Sequence, residues 1–232
     1  MTDSTIRHAT ATTYADTDSR RRTTMSDTVQ LLQDDLTDDL LAGFTGSDRV
    51  AWDIETTGLD WRHGRIGTCQ LHSDTAGTVL VQMHPEHRPE RLARLLADEA
   101  VLKVFHHAPF DLRWMMSHWQ VQAASVGCTK VASRLLNPDP DSASHSLKHL
   151  LEQRLGINLD KAQRLSDWTM QTLTPEQVTY AACDVVHLLP LLDLLEKDLV
   201  NEGRLETYQR CLDYLPTRVL LEINDWPDVF SY

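Results

Sequence analysis

The chain has 232 residues with 22 Lys+Arg against 34 Asp+Glu, a formal net charge of -12, so a broad basic surface for long duplexes is excluded. Its four cysteines, Cys69, Cys128, Cys183 and Cys211, lack C-x-x-C spacing, which excludes a disulfide framework or a cysteine zinc site and fits small core residues in a reducing, cytoplasmic compartment. No run of transmembrane length is expected, and the length suits one compact domain.

Residues 1–26 form a polar tail rich in Thr, Ser, Asp and Arg. Its few large apolar side chains cannot offset ordering entropy, so disorder is expected there, with a single folded domain over 27–232. No apolar segment follows Arg20-Arg21-Arg22, which argues against a secretion signal.

The first strong element is residues 50–55, VAWDIE, an apolar run ending in Thr56-Thr57-Gly58. It predicts a buried strand leading into a turn. Side chains alternate across a strand, so Asp53 and Glu55 share one face and Trp52 and Ile54 the other. Residues 66–72 and 78–83 read as further strands joined by glycine-containing turns, and residues 89–98 as a helix. Residues 101–105 predict another strand, residues 106–109 a turn and residues 111–119 a helix. Asp111 then stands in a first helical turn, where the helix dipole itself favours a negative charge.

SLKHLL, residues 146–151, reads as an amphipathic helix with a polar edge. Thr174-Pro175-Glu176-Gln177 carries an N-cap threonine, a proline at the first helical position and a glutamine at the third. Helical periodicity then runs to about residue 199, with a kink or split expected at Pro190. Tyr180 and Asp184, four apart, share one face near the start. The ending RVLLEINDWPDVFSY predicts a short strand and a proline-bearing tail packed on the core.

Asp53, Glu55, Asp111 and Asp184 each sit beside or inside apolar segments. Ionised carboxylates are expensive to desolvate there unless a cation neutralises them, so several together point to a divalent-metal site. Taken singly, each also has a structural reading: a polar strand face, a dipole-favoured aspartate, an exposed aspartate beside a half-buried tyrosine.

Together, D-x-E on a first strand, F-D opening a helix, and Y-x-x-x-D on a late helix resemble the three exonuclease motifs of the DEDD superfamily, in its tyrosine-bearing branch. LGINLDKAQRLSDWTMQTLTPEQVTYAACDVVHLLPL is similar to the third motif of ribonuclease D over nearly its whole length. The histidine-bearing branch has histidine where this chain has Thr179.

The resemblance covers roughly residues 47–200 and implies an α/β, ribonuclease H-like mixed sheet with flanking helices: three antiparallel strands first, then parallel ones. It implies two divalent cations, Mg²⁺ or Mn²⁺, clamping the attacking and leaving oxygens of an in-line phosphoryl displacement. Asp53 would bridge them, Glu55 and Asp184 complete one site, and Asp111 hold the other. Tyr180 would orient the attacking water.

Thr56, Gly58 and Leu59 follow the first motif where the family contacts the terminal nucleotide. Trp114 would stack a base, or equally be a core residue. Lys161 would approach the substrate backbone, or be a solvated loop lysine. His106-His107-Ala108-Pro109 departs from the His-Asn-Ala-Lys of many relatives, so His107 replaces an amide that contacts substrate. Residues 101–165 carry 8 basic against 5 acidic residues, a modest positive strip fit for a short 3′ tail.

The expected function is a monomeric 3′-5′ exoribonuclease releasing nucleoside 5′-monophosphates from RNA 3′ ends, such as those of tRNA precursors. Single-stranded DNA is an alternative substrate, because the carboxylates do not read the 2′-hydroxyl. A non-catalytic RNA-binding module retaining the fold is the alternative of another class.

Overall fold

The computed structural model describes residues 29–138, 141–159, 163 and 165–232. The expected polar tail and Lys161 lie outside the described residues.

Six strands form one mixed sheet: β1 (Gln30–Gln33), β2 (Arg49–Thr56), β3 (Ile66–Ser73), β4 (Gly77–Gln82), β5 (Leu102–Phe105) and β6 (Val126–Cys128), in the order β1-β4-β3-β2-β5-β6. β2, β3 and β4 pair antiparallel, and β5 and β6 continue parallel from β2. The expected α/β ribonuclease H-like order is therefore present. The sequence reading missed β1, which adds parallel to β4 at the sheet edge. Its QLLQ is too short to carry an alternation, and its pairing partner lies some fifty residues away.

The two sheet faces have separate cores. Trp52 and Ile54 project into one, with Trp52 stacked on Phe105 at 6.2 Å and close to Trp119. Helices α1 (Asp38–Thr45), α2 (Glu90–Ala97) and α3 (Ala108–Trp119) cover this face. Ala51 and Val104 project to the other face, under α4 (Thr129–Leu136), α5 (Leu147–Leu155) and α7 (Leu188–Asn201). Asp53 and Glu55 share Ala51's side by alternation, so β2 directs its two carboxylates toward the face that α6 (Pro175–Val186) also covers.

Thr174 caps α6 with the expected capping box: its side chain accepts from the Gln177 N–H, and Gln177 Oε1 accepts from the Thr174 N–H at 2.9 Å. The split comes at His187, ahead of Pro190. A proline cannot bond to the carbonyl four residues back and its ring clashes there, so the fault falls at Val186–His187 and Pro190 sits in the first turn of α7. Residues 175–201 together are long and apolar enough to cross a membrane by length and composition, contrary to the sequence reading, yet 56% of their apolar stretch is buried inside the protein. That run is a pair of core helices.

The C-terminal expectation is corrected outright. Residues expected as a strand belong to α8 (Leu205–Ile223), which runs through Pro216. Leu212, Leu215, Val219 and Ile223 recur at helical spacing and pack on the first core. Tyr208, on the same helix, accepts a hydrogen bond from the Cys128 N–H at 3.1 Å, pinning α8 to edge strand β6. Val219 and Ile223 pack on the core as expected, but the proline-bearing tail does not: past the end of α8 the apolar Trp226, Val229, Phe230 and Tyr232 stay exposed, with Phe230 edge-on against the partly exposed Tyr214.

Candidate active site

Asp53 and Glu55 stand on β2, and Asp184 on α6; a carboxylate oxygen from each lies within 4.8 Å of the others. Asp53 faces Gln70 across the antiparallel β2–β3 pair and Glu55 faces Thr68. Gln70 Nε2 donates to Asp53 Oδ2 at 3.0 Å, and the Thr68 hydroxyl donates to Gln70 Oε1 at 3.1 Å. This relay fixes the Asp53 carboxylate. The sequence reading missed Thr68 and Gln70, although polar side chains at 68, 70 and 72 alternating with Gly67, Cys69 and Leu71 are a visible period-two signal.

Asp111 approaches from the other direction, in the first turn of α3 and 3% exposed. Its carboxylate takes backbone hydrogen bonds from its own N–H and that of Ile54, yet its Oδ1 is buried with no hydrogen-bond partner. Desolvation raises its pKa well above the ordinary aspartate range. Asp53 is raised as well, by burial first and then by the charges of Asp111, Asp184 and Glu55. Four carboxylates have thus been gathered where each disfavours the charge of the next. An all-oxygen donor set with an orphaned buried oxygen fits hard divalent cations.

Tyr180 lies one helical turn before Asp184. Burial, the charges of Asp184, Glu55 and Asp53, and a hydrogen bond with Asp184 keep its hydroxyl protonated far above physiological pH. Its ring lies 5.9 Å from that of Trp168, which is 2% exposed. The Trp168 segment lies against Gly67 of β3, where an added Cβ would sit 2.7 Å from the Trp168 carbonyl oxygen. Gly67→Ala is therefore expected to displace the 166–170 segment, lower stability by about 1–3 kcal/mol, and cut turnover through the loosened Tyr180 ring; thermal melts and initial rates check both.

The other candidates separate. Leu59 is 83% exposed at the tip of the loop after β2, while the Thr56 hydroxyl donates to the Gly58 carbonyl at 2.7 Å and tightens that turn. A Cβ built on Gly58 meets nothing within 4 Å, so this face is open. Trp114 is 1% exposed and packed against His118 and Phe110, with no face for a base. Stacking by Trp114 is ruled out: its helical position turns it into the core under Gly64, whose added Cβ would meet the indole at 2.6 Å. His107 stands exposed at the N-cap of α3. Desolvation on its packed side, then the charges of Lys130, Arg113, Arg134 and Arg218, lower its pKa to about 4.

The raised carboxylates fix the sign of a pH effect. For Asp111 the unfolded chain loses its proton first, near pH 4, so the stability this group contributes is present below that pH and lost as pH rises through its folded pKa. Without metal, Asp111→Asn is expected to melt higher than wild type at pH 7.5, by at least about 1 kcal/mol or a few degrees. The difference should vanish near pH 4. Divalent cation should raise the wild-type melting temperature more than the variant's, and scanning calorimetry in chelator and in Mg²⁺ checks each part.

Residues 29–200 match a family model described as 3′-5′ exonuclease. The chain belongs to the 3′-5′ exonuclease family. The ribonuclease D-like resemblance of its motifs is part of the same kinship. Exosome complex component 10 of Mus musculus is 34% identical over 114 residues, 49% of this chain and 12% of that protein. Ribonuclease D of Zymomonas mobilis is 34% identical over 166 residues, 71% of this chain and 42% of that protein. The chain thus spans well under half the length of these curated relatives. The structure of NrnC from Brucella melitensis matches with a TM-score of 0.80 at 31% identity, over 88% of this chain and 98% of that one. NrnC has also been solved bound to pGG and with bound Mg²⁺.

Proposed function

We propose that this 3′-5′ exonuclease is a divalent-metal-dependent exoribonuclease that removes nucleoside 5′-monophosphates from RNA 3′ ends, such as those of tRNA precursors, acting as a cytoplasmic monomer. The observation that carries the reading is the convergence of Asp53, Glu55 and Asp184 within 4.8 Å, with Asp111, whose Oδ1 is buried and orphaned, acting by its charge on Asp53. Asp53, Glu55 and Asp184 would hold one cation, and Asp53 with Asp111 a second, Mg²⁺ or Mn²⁺. When bound, such ions neutralise phosphate charge and acidify water.

The chain's own residues do the rest. Gln70 and Thr68 hold Asp53 in one orientation. Tyr180 stays a phenol, so it orients a water or phosphate oxygen by hydrogen bonding and does not serve as a resting base. Leu59, with the open turn at Thr56 and Gly58, meets the terminal nucleotide. Asp53 and Asp111 are both raised above the ordinary carboxylate range in the bare cluster, by burial first and, for Asp53, by its acidic neighbours, which favours cation uptake over free charges.

A second reading narrows the substrate. The match with NrnC runs over 98% of that chain, and NrnC has been solved bound to pGG, which favours very short 5′-phosphorylated oligonucleotides. The test is a comparison of kcat/KM on one sequence as single-stranded RNA, as DNA, and as a two-nucleotide RNA. A preference for RNA supports the exoribonuclease, and a rise on the two-nucleotide form assigns short substrates. Preference for DNA would overturn the RNA assignment, and RNA binding without cleavage would leave a non-catalytic module.

A further inference from the structure

Three helices bring cations together beside His107. Arg113 comes from α3, two residues beyond Asp111. Lys130 opens α4, where its backbone N–H donates to the His106 carbonyl at 3.1 Å, and Arg134 follows one turn later on the same face. Arg218 comes from α8. All four act electrostatically on the His107 imidazole. Four cations at one place are conspicuous in a chain of net charge -12.

A single carboxylate ties two of them together. Glu222 of α8 bonds Arg218 at 3.3 Å and also the Arg113 guanidinium. Arg113 Nε is buried with no hydrogen-bond partner, and Arg134 is exposed with no ion pair among the described residues. Arg218 and Glu222 both lie beyond residues 29–200, the part that matches the family.

We propose that Arg113, Lys130, Arg134 and Arg218 form a track for backbone phosphates of the strand entering the cleft, with Glu222 standing in for a phosphate until one displaces it. The ligand class is a phosphodiester chain upstream of the scissile bond. The inference rests on the exonuclease reading and extends it by giving α8 a substrate-binding role. Charge is the first reason: Arg113 and Arg218 share the single carboxylate of Glu222, and Arg134 has no ion pair among the described residues, so an anion finds positive charge there to neutralise. Position is the second, because His107 at the mouth of the cluster precedes Asp111 by about 6 Å of helix rise. The pairing of Glu222 with two arginines supplies the third, since a partly exposed carboxylate is a weak competitor for a phosphate that brings its own charge.

The test is fluorescence anisotropy with 5′-labelled single-stranded RNA in EDTA, where strand and protein stay intact, over a range of NaCl. Wild type is compared with Arg134→Gln, Arg218→Gln and Glu222→Gln. Each arginine variant should weaken binding about three- to tenfold at low salt and flatten the slope of log affinity against log salt by about 0.7. Glu222→Gln should bind more tightly than wild type. Unchanged affinity and slope in both arginine variants, or absence of binding by wild type, would overturn the track. Arg134→Gln breaks no ion pair among the described residues, so it decides the matter even if a change in α8 disturbs folding. A metal-dependent cleavage assay on the same wild-type protein separates the two claims: cleavage with unaltered salt slopes sinks the track alone, and salt-sensitive binding without cleavage sinks the exonuclease reading alone.

Discussion

Asp53→Asn is expected to lower kcat by at least about 10³-fold, some 4 kcal/mol of transition-state stabilisation, with KM changed far less. Asp53 adjoins both halves of the cluster: it shares the 4.8 Å group with Glu55 and Asp184, and Asp111 is its strongest charged neighbour. The amide keeps the size and can still accept from Gln70, so the fold should survive. Titration calorimetry with Mn²⁺ should show weakened cation binding in the variant. Full activity in Asp53→Asn would remove the metal assignment at its centre.

Tyr180→Phe is expected to cost about 10²-fold or more in kcat while leaving cation binding close to wild type. The hydroxyl is the only atom lost, and the ring contact with Trp168 remains, so stability should hardly move. The pH profile discriminates further. A phenol kept protonated by burial and by three carboxylates contributes no ionisation in the neutral range, so the alkaline limb of the profile should be the same in both proteins. A shifted limb in Tyr180→Phe would mean that the phenolate takes part.

What could be read from the chain was whatever depends on local order. Alternation along VAWDIE puts Asp53 and Glu55 on one face, and the structure gives that face to α6. The Thr174–Gln177 capping box starts α6 where expected, and the four-residue spacing of Tyr180 and Asp184 follows from helix geometry alone. What escaped depends on tertiary partners. The strand β1 exists because β4 offers it an edge, and the C-terminal helix because Leu212, Leu215, Val219 and Ile223 find the core across α3. Val219-Leu220-Leu221 is a short apolar run that either a strand or a helix can use, and burial decides it. Gln70 reaches Asp53 only through the β2–β3 register, and Trp114 is turned inward by a neighbour, Gly64, fifty residues earlier. The cation cluster draws on three helices spread over more than a hundred residues of chain, so its members look like ordinary surface charges in the sequence.

Digestion of a 5′-labelled single-stranded RNA in Mg²⁺, sampled over time and matched against the same reaction in EDTA, tests the central assignment most directly. The expected result is a ladder that shortens from the 3′ end one nucleotide at a time, with nucleoside 5′-monophosphates as the other product and no cleavage in EDTA. Early release of the labelled 5′ nucleotide, internal cuts, or equal digestion in EDTA would contradict it.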